Sequence, residues 1–190
     1  MSTLVMVEKD GIGCMAAETL TTLGAWKQPA KYTTRPEKIL RIGDAYVGIV
    51  GLTVHRSVLE SALKDDGALA EVRDELALFE FSRKLHRRLK EEYFLNAGDA
   101  SSEAYESTQM TLFLMNRFGL FGLFANRSVE HYQRFAAIGS GAAFALGAMY
   151  AAWALDAPAE DIARLGALAG AEFDEASQGP ITLKTLKLDR

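Results

Sequence analysis

Cysteine and histidine are scarce in this chain, and their scarcity excludes several kinds of site. Cys14 is the single cysteine among 190 residues, so no internal disulfide bond can form, as is usual in a reducing compartment. The three histidines, His55, His86 and His131, lie far from Cys14 and from one another, without the spacing of a structural zinc site. We therefore predict a cytoplasmic protein with no metal ligand set.

A strong excess of one charge is also lacking. Lys and Arg number 21 against 25 Asp and Glu, so the net charge is −4 and no general basic surface exists for nucleic acid. Charged residues and a glycine at 8–11 interrupt the first apolar run, so we expect no export signal. Residues 135–155 are uncharged, but the break at 138–141 and the alanine-rich remainder favour a strand leading into a buried helix over a membrane span. We expect neither a nucleic acid nor a membrane as partner.

Short apolar runs alternate with helical repeats along the chain. With 49% apolar residues, a chain of this length can bury one sizeable core, which predicts one domain over residues 1–190. The apolar runs predict strands at 4–7, 13–17, 38–42, 45–51, 110–116, 120–126, 134–138 and 181–186. Helical spacing predicts helices at 54–63, 70–94, 142–154 and 159–173, with loops at 24–36 and 96–107. This order favours an α+β fold in which two sheets pack face to face with helices outside.

A basic run at 83–90 stands out within the second predicted helix. Its leucines recur at helical spacing and two glutamates follow it, which is typical of a solvated helix face. The alternative is that this basic run lines the pore of a ring-shaped assembly.

Ser2 joins a hydroxyl group to a potential chain end. If Met1 is removed, Ser2 carries a free amine whose ordinary pKa of about 7.7–8.0 lets it act as a base near neutral pH. A hydroxyl activated by its own terminal amine is a known form of nucleophile. The alternative is that a small second residue only permits removal of the methionine.

Several short motifs occur in a specific order around Ser2. The stretches are 2–5, 16–18, 22–24, 38–42, 48–53 and 137–141. Together they resemble proteasome β-type subunits and the HslV peptidase, and within that family most of all the betaproteobacterial proteasome homologues. The resemblance covers nearly the whole chain, and the extra length between Ala70 and Tyr105 departs from ordinary HslV. It implies the four-layer αββα sandwich of N-terminal nucleophile hydrolases, assembled as a homo-oligomeric double ring around an inner chamber, with no cofactor for bond cleavage.

The resemblance also implies the catalytic residues. Ser2 would be the nucleophile, with Lys38 beside its oxygen and Glu18 paired with Lys38. Gly51 would donate its backbone N–H to the oxyanion. Three further residues would support the terminal amine: Ser140, Asp174 and Ser177. For the charged pair the alternative is two unrelated surface charges, and for the others it is turn, capping and loop chemistry.

The same resemblance implies how a substrate would bind. An extended peptide would lie as an added strand near Thr21, Thr22 and Gly51, held by backbone hydrogen bonds with loose sequence preference. Ile49 and Thr53 match positions that line the side-chain pocket, which indicates a medium-sized apolar preference.

Two residues depart from the family pattern. The usual nucleophile is Thr, and Ser2 lacks the methyl group that restricts the rotamer. The usual acid is Asp, and the extra methylene of Glu18 requires the backbone or Lys38 to adjust. Both residues keep the functional group of the family pattern, a hydroxyl at Ser2 and a carboxylate at Glu18.

The predicted function is a self-compartmentalising endopeptidase acting on peptides or unfolded polypeptides. A ring-forming scaffold with vestigial activity and an N-terminal nucleophile amidase for small amides are the alternatives. An ATP-dependent unfoldase is a partner that the resemblance leaves open. Met1 is expected to be the only residue ahead of the nucleophile.

Overall fold

The computed structural model describes residues 2–64, 67–98 and 104–189. The described residues form strands β1 (Leu4–Lys9), β2 (Ile12–Ala17), β3 (Thr21–Leu23), β4 (Trp26–Gln28), β5 (Ile39–Ile42), β6 (Ala45–Val50), β7 (Thr111–Asn116), β8 (Gly119–Leu123), β9 (Val129–Tyr132), β10 (Phe135–Ile138) and β11 (Thr182–Lys187). The helices are α1 (Val54–Ala62), α2 (Glu75–Glu92), α3 (Ala142–Ala154) and α4 (Ala159–Phe173).

Two antiparallel sheets dominate the architecture. The first sheet has the strand order β10-β1-β2-β11 and the second has the order β5-β6-β7-β8-β9. In the first sheet Leu4 pairs with both Ala17 and Ile138, so the beginning of β1 lies beside the ends of β2 and β10. The residues that flank these strand ends are therefore brought together at one edge of the sheet.

The two sheets pack face to face through a buried apolar layer. Leu4, Met6 and Met15 of the first sheet pack in one cluster with Phe113 and Met115 of the second. These side chains are fully buried. Alternate residues of β1 face the other way, as the two-residue period of a strand requires.

Helices cover the outer face of each sheet. Val5 and Val7 of β1 pack against Met149 of α3 and Ile162 of α4. The outer face of the second sheet packs against buried leucines of α1 and α2, among them Leu59. The layer order is thus helices, sheet, sheet, helices, which confirms the predicted four-layer αββα sandwich.

Most predicted elements agree with the structure, with differences at loops and helix ends. The predicted loop at 24–36 contains β4 and a short 3-10 helix at Ala30–Tyr32, and the strand β9 was not predicted. The second helix begins at Glu75, not at 70, because the Asp74 side chain caps it by accepting a hydrogen bond from the Ala77 N–H at 2.8 Å. Of the predicted loop at 96–107, residues 99–103 lie outside the described part.

The basic run lies on the outer side of α2. Arg83, Arg87 and Arg88 pair with glutamates one turn away, while Leu85 and Leu89 are buried. In the single chain the run therefore forms a charged, exposed helix face, and the pore-lining position in a ring stays the alternative. Within the described ranges, no helix is both long and apolar enough to cross a membrane.

Candidate active site

Ser2 lies just before β1 in a buried position, with 4% of its surface exposed. Its hydroxyl oxygen accepts a hydrogen bond from the Lys38 ammonium at 2.9 Å. Lys38 immediately precedes β5 in the second sheet, so this bond joins the two sheets. The residue predicted as nucleophile and the predicted lysine are therefore in direct contact.

Glu18 follows β2 and is completely buried. Its Oε1 forms an ion pair with Lys38 and accepts the Thr3 N–H at 3.4 Å. Its Oε2 accepts the Leu20 N–H at 2.6 Å and the Gln178 N–H at 3.4 Å. The Glu18 side chain, one methylene longer than the usual Asp, thus reaches Lys38. Backbone N–H groups satisfy the remaining lone pairs of its carboxylate.

The Lys38 ammonium is largely enclosed by this arrangement. Burial lowers the pKa of Lys38 from its ordinary value, while the Glu18 and Asp174 carboxylates oppose that change. The carboxylates favour the charged form, but burial is the larger effect, so the pKa of Lys38 stays below its ordinary value.

A second hydrogen-bonded cluster meets the backbone nitrogen of Ser2. Ser2 N donates to the Ser140 hydroxyl oxygen at 3.1 Å. The Ser140 hydroxyl donates to Asp174 Oδ2 at 2.8 Å, and the Ser177 hydroxyl donates to the same oxygen at 2.6 Å. Ser140 lies between β10 and α3, and Asp174 and Ser177 follow α4. The predicted supporting residues therefore form one network around the nitrogen.

Gly51 lies directly after β6 at φ +135, a backbone conformation in which a side chain is strained. A Cβ at this position would also come within 2.8 Å of His55 Nδ1. His55 is buried in α1, and its Nδ1 has no hydrogen-bond partner among the described residues. Both constraints require glycine here.

One cavity of about 380 Å³ opens beside Ser2. All four residues predicted to bind substrate line it: Thr21, Thr22, Ile49 and Thr53. Lys38 and Gly51 also line the cavity. The structure thus brings the predicted binding residues to the same cavity as the Ser2 hydroxyl.

Sequence reasoning missed several residues of this site. Thr3, Arg35 and Arg56 were not singled out, although Arg35 and Arg56 line the cavity and Thr3 is fully buried next to Ser2. Two consecutive hydroxyl residues before an apolar strand were the only signal for Thr3. The sequence around Arg56 is that of an ordinary exposed arginine on a helix, so no signal pointed to it. Within residues 2–64, 67–98 and 104–189 no group of three side chains is arranged to hold a metal ion.

Met1 lies outside the described residues, so its removal stays a prediction. The distance given above between the Ser2 nitrogen and Ser140 is that of the Ser2 backbone nitrogen.

Solved structures with the same architecture cover nearly the whole chain. BPH of Thiobacillus denitrificans in complex with epoxomicin superposes with a TM-score of 0.90 at 37% identity, covering 99% of this chain and 100% of that one. A second solved structure of Thiobacillus denitrificans BPH superposes with a TM-score of 0.90 at 38% identity over 98% of each chain. HslV of Trypanosoma brucei shares the fold, with a TM-score of 0.71 at 22% identity over 97% of this chain and 99% of that one.

Neither family models nor curated protein sequences match the chain. The structural relatives are nevertheless decisive, because the identity to BPH extends over essentially the full length of both chains. This chain therefore belongs to the proteasome β-type and HslV-like peptidase family, alongside the betaproteobacterial proteasome homologues, as the ordered sequence motifs predicted.

Proposed function

We propose that the chain is an endopeptidase whose nucleophile is the Ser2 hydroxyl after removal of Met1. The proposal rests on the observation that the hydroxyl oxygen and the backbone nitrogen of Ser2 both make hydrogen bonds. Its oxygen contacts Lys38 and its nitrogen contacts Ser140, so a hydroxyl and a future amine lie in one buried, polar site. A hydroxyl activated by a nearby base is the recognised requirement for such a nucleophile.

In the first step the Ser2 oxygen attacks the carbonyl carbon of a peptide bond, and the hydroxyl proton passes to the Ser2 amine. The Lys38 ammonium stabilises the developing negative charge on the attacking oxygen. The backbone N–H of Gly51 stabilises the charge that forms on the carbonyl oxygen. Collapse of the tetrahedral intermediate breaks the carbon–nitrogen bond, and the departing amine takes the proton from the Ser2 ammonium.

In the second step a water molecule attacks the ester formed on Ser2. The Ser2 amine accepts a proton from this water, and the proton then returns to the Ser2 oxygen as the ester bond breaks. Asp174 accepts hydrogen bonds from both serine hydroxyls in the network, so the Ser140 oxygen faces the amine as an acceptor. This arrangement leaves the amine lone pair available for the proton transfers.

Substrate binding is proposed to use the cavity beside Ser2. A peptide running along Thr21, Thr22 and Gly51 would be held by its backbone, with one side chain entering between Ile49 and Thr53. Ile49 and Leu40 supply buried apolar surface to the cavity lining. This supports an apolar side chain of medium size at the cleavage point.

Assembly into homo-oligomeric stacked rings is proposed on the character of α3 and α4. The α3 sequence has no charged residue, yet Phe144 is 45% exposed and Tyr150 is 72% exposed. Leu165, Leu168 and Phe173 add exposed apolar surface on α4. Exposed apolar surface of this kind indicates contact with another chain, and a second copy of this chain is the proposed partner.

Intact mass spectrometry with and without a peptide epoxyketone tests the proposed function. We expect the chain to lack Met1 and to gain one inhibitor mass, because the epoxyketone reacts with the hydroxyl and amine of one residue. The structure of Thiobacillus denitrificans BPH was solved in complex with epoxomicin, which serves as the probe here. The Ser2→Ala variant is the matched control, and it should assemble normally without forming an adduct.

The outcomes separate the three functions. A chain that keeps Met1 and stays unmodified would contradict the enzyme, and an unmodified chain that still forms rings would support a scaffold. An adduct without cleavage of casein or peptides would favour an amidase for small amides. Adduct formation by Ser2→Ala would contradict Ser2 as the nucleophile.

A further inference from the structure

Thr3 is a fully buried polar residue whose side chain has no part in the mechanism above. Its hydroxyl lies 2.8 Å from the hydroxyl of Ser177. Its backbone N–H donates to Glu18 Oε1 at 3.4 Å, and its carbonyl accepts the Glu18 N–H at 3.2 Å. The Glu18–Lys38 pair and the Asp174 network therefore meet at this one residue.

The direction of the hydrogen bonds at Thr3 follows from counting protons. A hydroxyl carries one proton, and the Ser177 hydroxyl donates its hydrogen bond to the Asp174 carboxylate. Thr3 must therefore donate to the Ser177 oxygen. The result is a directed chain of hydrogen bonds from Thr3 through Ser177 to Asp174, which also accepts a hydrogen bond from Ser140. Thr3 thereby holds Ser177 in the orientation that serves Asp174.

Three glycines enclose Ser2 and Thr3. A Cβ on Gly141 or Gly170 would overlap the Thr3 side chain, and a Cβ on Gly139 would overlap the Ser2 carbonyl oxygen. That carbonyl also accepts the Gly141 N–H at 3.2 Å. The Thr3 side chain therefore fits a closely matched space between the turn before α3 and the helix α4.

A terminal nucleophile needs such support because a chain end frays unless it is tied down. Once Met1 is absent, Ser2 is covalently attached on one side only. We propose that Thr3 is the positioning residue of the terminal nucleophile, acting through its hydroxyl on Ser177 and its methyl group against Gly170. This inference rests on the proposed function, since it concerns the geometry of the same site.

The test compares Thr3→Val, which removes the hydroxyl at nearly constant volume, with Thr3→Ser, which keeps it. We expect Thr3→Val to lower kcat about tenfold with an unchanged KM, the scale of one lost hydrogen bond. Its acidic limb in the pH profile should move to lower pH, because a less well-held Ser140 stabilises the Ser2 ammonium less. Thr3→Ser should keep most of the activity, and Thr185→Val on the exposed side of β11 is the matched control.

A double-mutant cycle with Ser177→Ala measures the coupling. The two substitutions should be less than additive in kcat, since each removes the same hydrogen bond. If Thr3→Val fails to assemble, Ser177→Ala alone must lower kcat at least about tenfold and move the acidic limb in the same direction, because it removes the hydrogen bonds to both Thr3 and Asp174. Additive effects would contradict the inference.

Failure of this inference is distinguishable from failure of the proposed function. An active wild type together with a Thr3→Val variant of normal kcat and pH profile would overturn the positioning role alone. A wild type that neither forms the epoxyketone adduct nor cleaves peptides would overturn the proposed function and this inference with it.

Discussion

The Lys38 ammonium donates a hydrogen bond of 2.9 Å to the hydroxyl oxygen of Ser2, and the same ammonium is paired with the buried carboxylate of Glu18. One cation therefore connects the first sheet to the second just before β1. The charge state of Lys38 determines whether the Ser2 oxygen faces a cation or a neutral amine.

The alkaline side of the pH profile should report on Lys38. Burial lowers the pKa of Lys38 below its usual 10.5, so the ammonium is lost at lower pH than an exposed lysine would lose it. We expect kcat/KM to fall on the alkaline side before pH 10.5. Because Glu18 raises this pKa, Glu18→Gln should move the alkaline limb to still lower pH.

Steady-state kinetics with a fluorogenic peptide between pH 6 and pH 10 would check this. Lys38→Met should lower kcat about a hundredfold or more, and Lys187→Met on the exposed side of β11 is its control. A Glu18→Gln profile that moves to higher pH would contradict the role assigned to the carboxylate.

Shortening Glu18 to the aspartate usual in this family should impair this chain. Glu18 reaches Lys38 and three backbone N–H groups at once, and Asp cannot span the same positions from the same backbone. We expect Glu18→Asp to lower the free energy of unfolding by about 1–3 kcal/mol, the cost of leaving buried partners unsatisfied. Urea unfolding measures this loss, and an unchanged midpoint together with an unchanged kcat would contradict the prediction.

Gly51→Ala should reduce catalysis more than folding. Its φ of +135 is strained for alanine, and the added Cβ would meet His55 Nδ1 at 2.8 Å, so the loop must shift and carry the N–H that is the proposed oxyanion donor with it. We expect about a hundredfold loss in kcat, the scale of one missing oxyanion donor. Replacing His55 with alanine as well should not restore activity, since the backbone strain remains.

Gly67→Ala is the control for Gly51, because no atom lies within 4 Å of a Cβ at Gly67 and its φ is −80. Full activity of Gly51→Ala would exclude Gly51 as the oxyanion donor.

Cys14 should be unreactive in the folded protein. Burial, together with the charge of Glu160, raises the pKa of Cys14 to about 12, so the thiol stays protonated and inert at pH 8. Iodoacetamide should therefore leave the native chain unlabelled and label it once in denaturant, as intact mass would show. Rapid labelling of the native protein would contradict the burial of β2.

Strong local patterns were sufficient to predict most strands and helices. The turn at Asp10 and Gly11 and the boundaries of α3 and α4 follow from short-range signals of this kind. The β3–β4 hairpin and β9 were missed because their strands are short and partly exposed, with no clean apolar alternation. The start of α2 depended on the Asp74 cap, which a hydrophobic pattern does not reveal.

The sequence by itself determined the family, the order of the motifs and the chemical groups available to the site, because residue type and spacing are properties of the chain. Only the tertiary structure decided that Glu18 reaches Lys38 despite its extra methylene, and that Thr3 joins two networks. These contacts join residues that are 15 to 174 positions apart in the sequence. They depend on how the sheets and helices pack, and residue spacing along one strand or helix does not predict that packing.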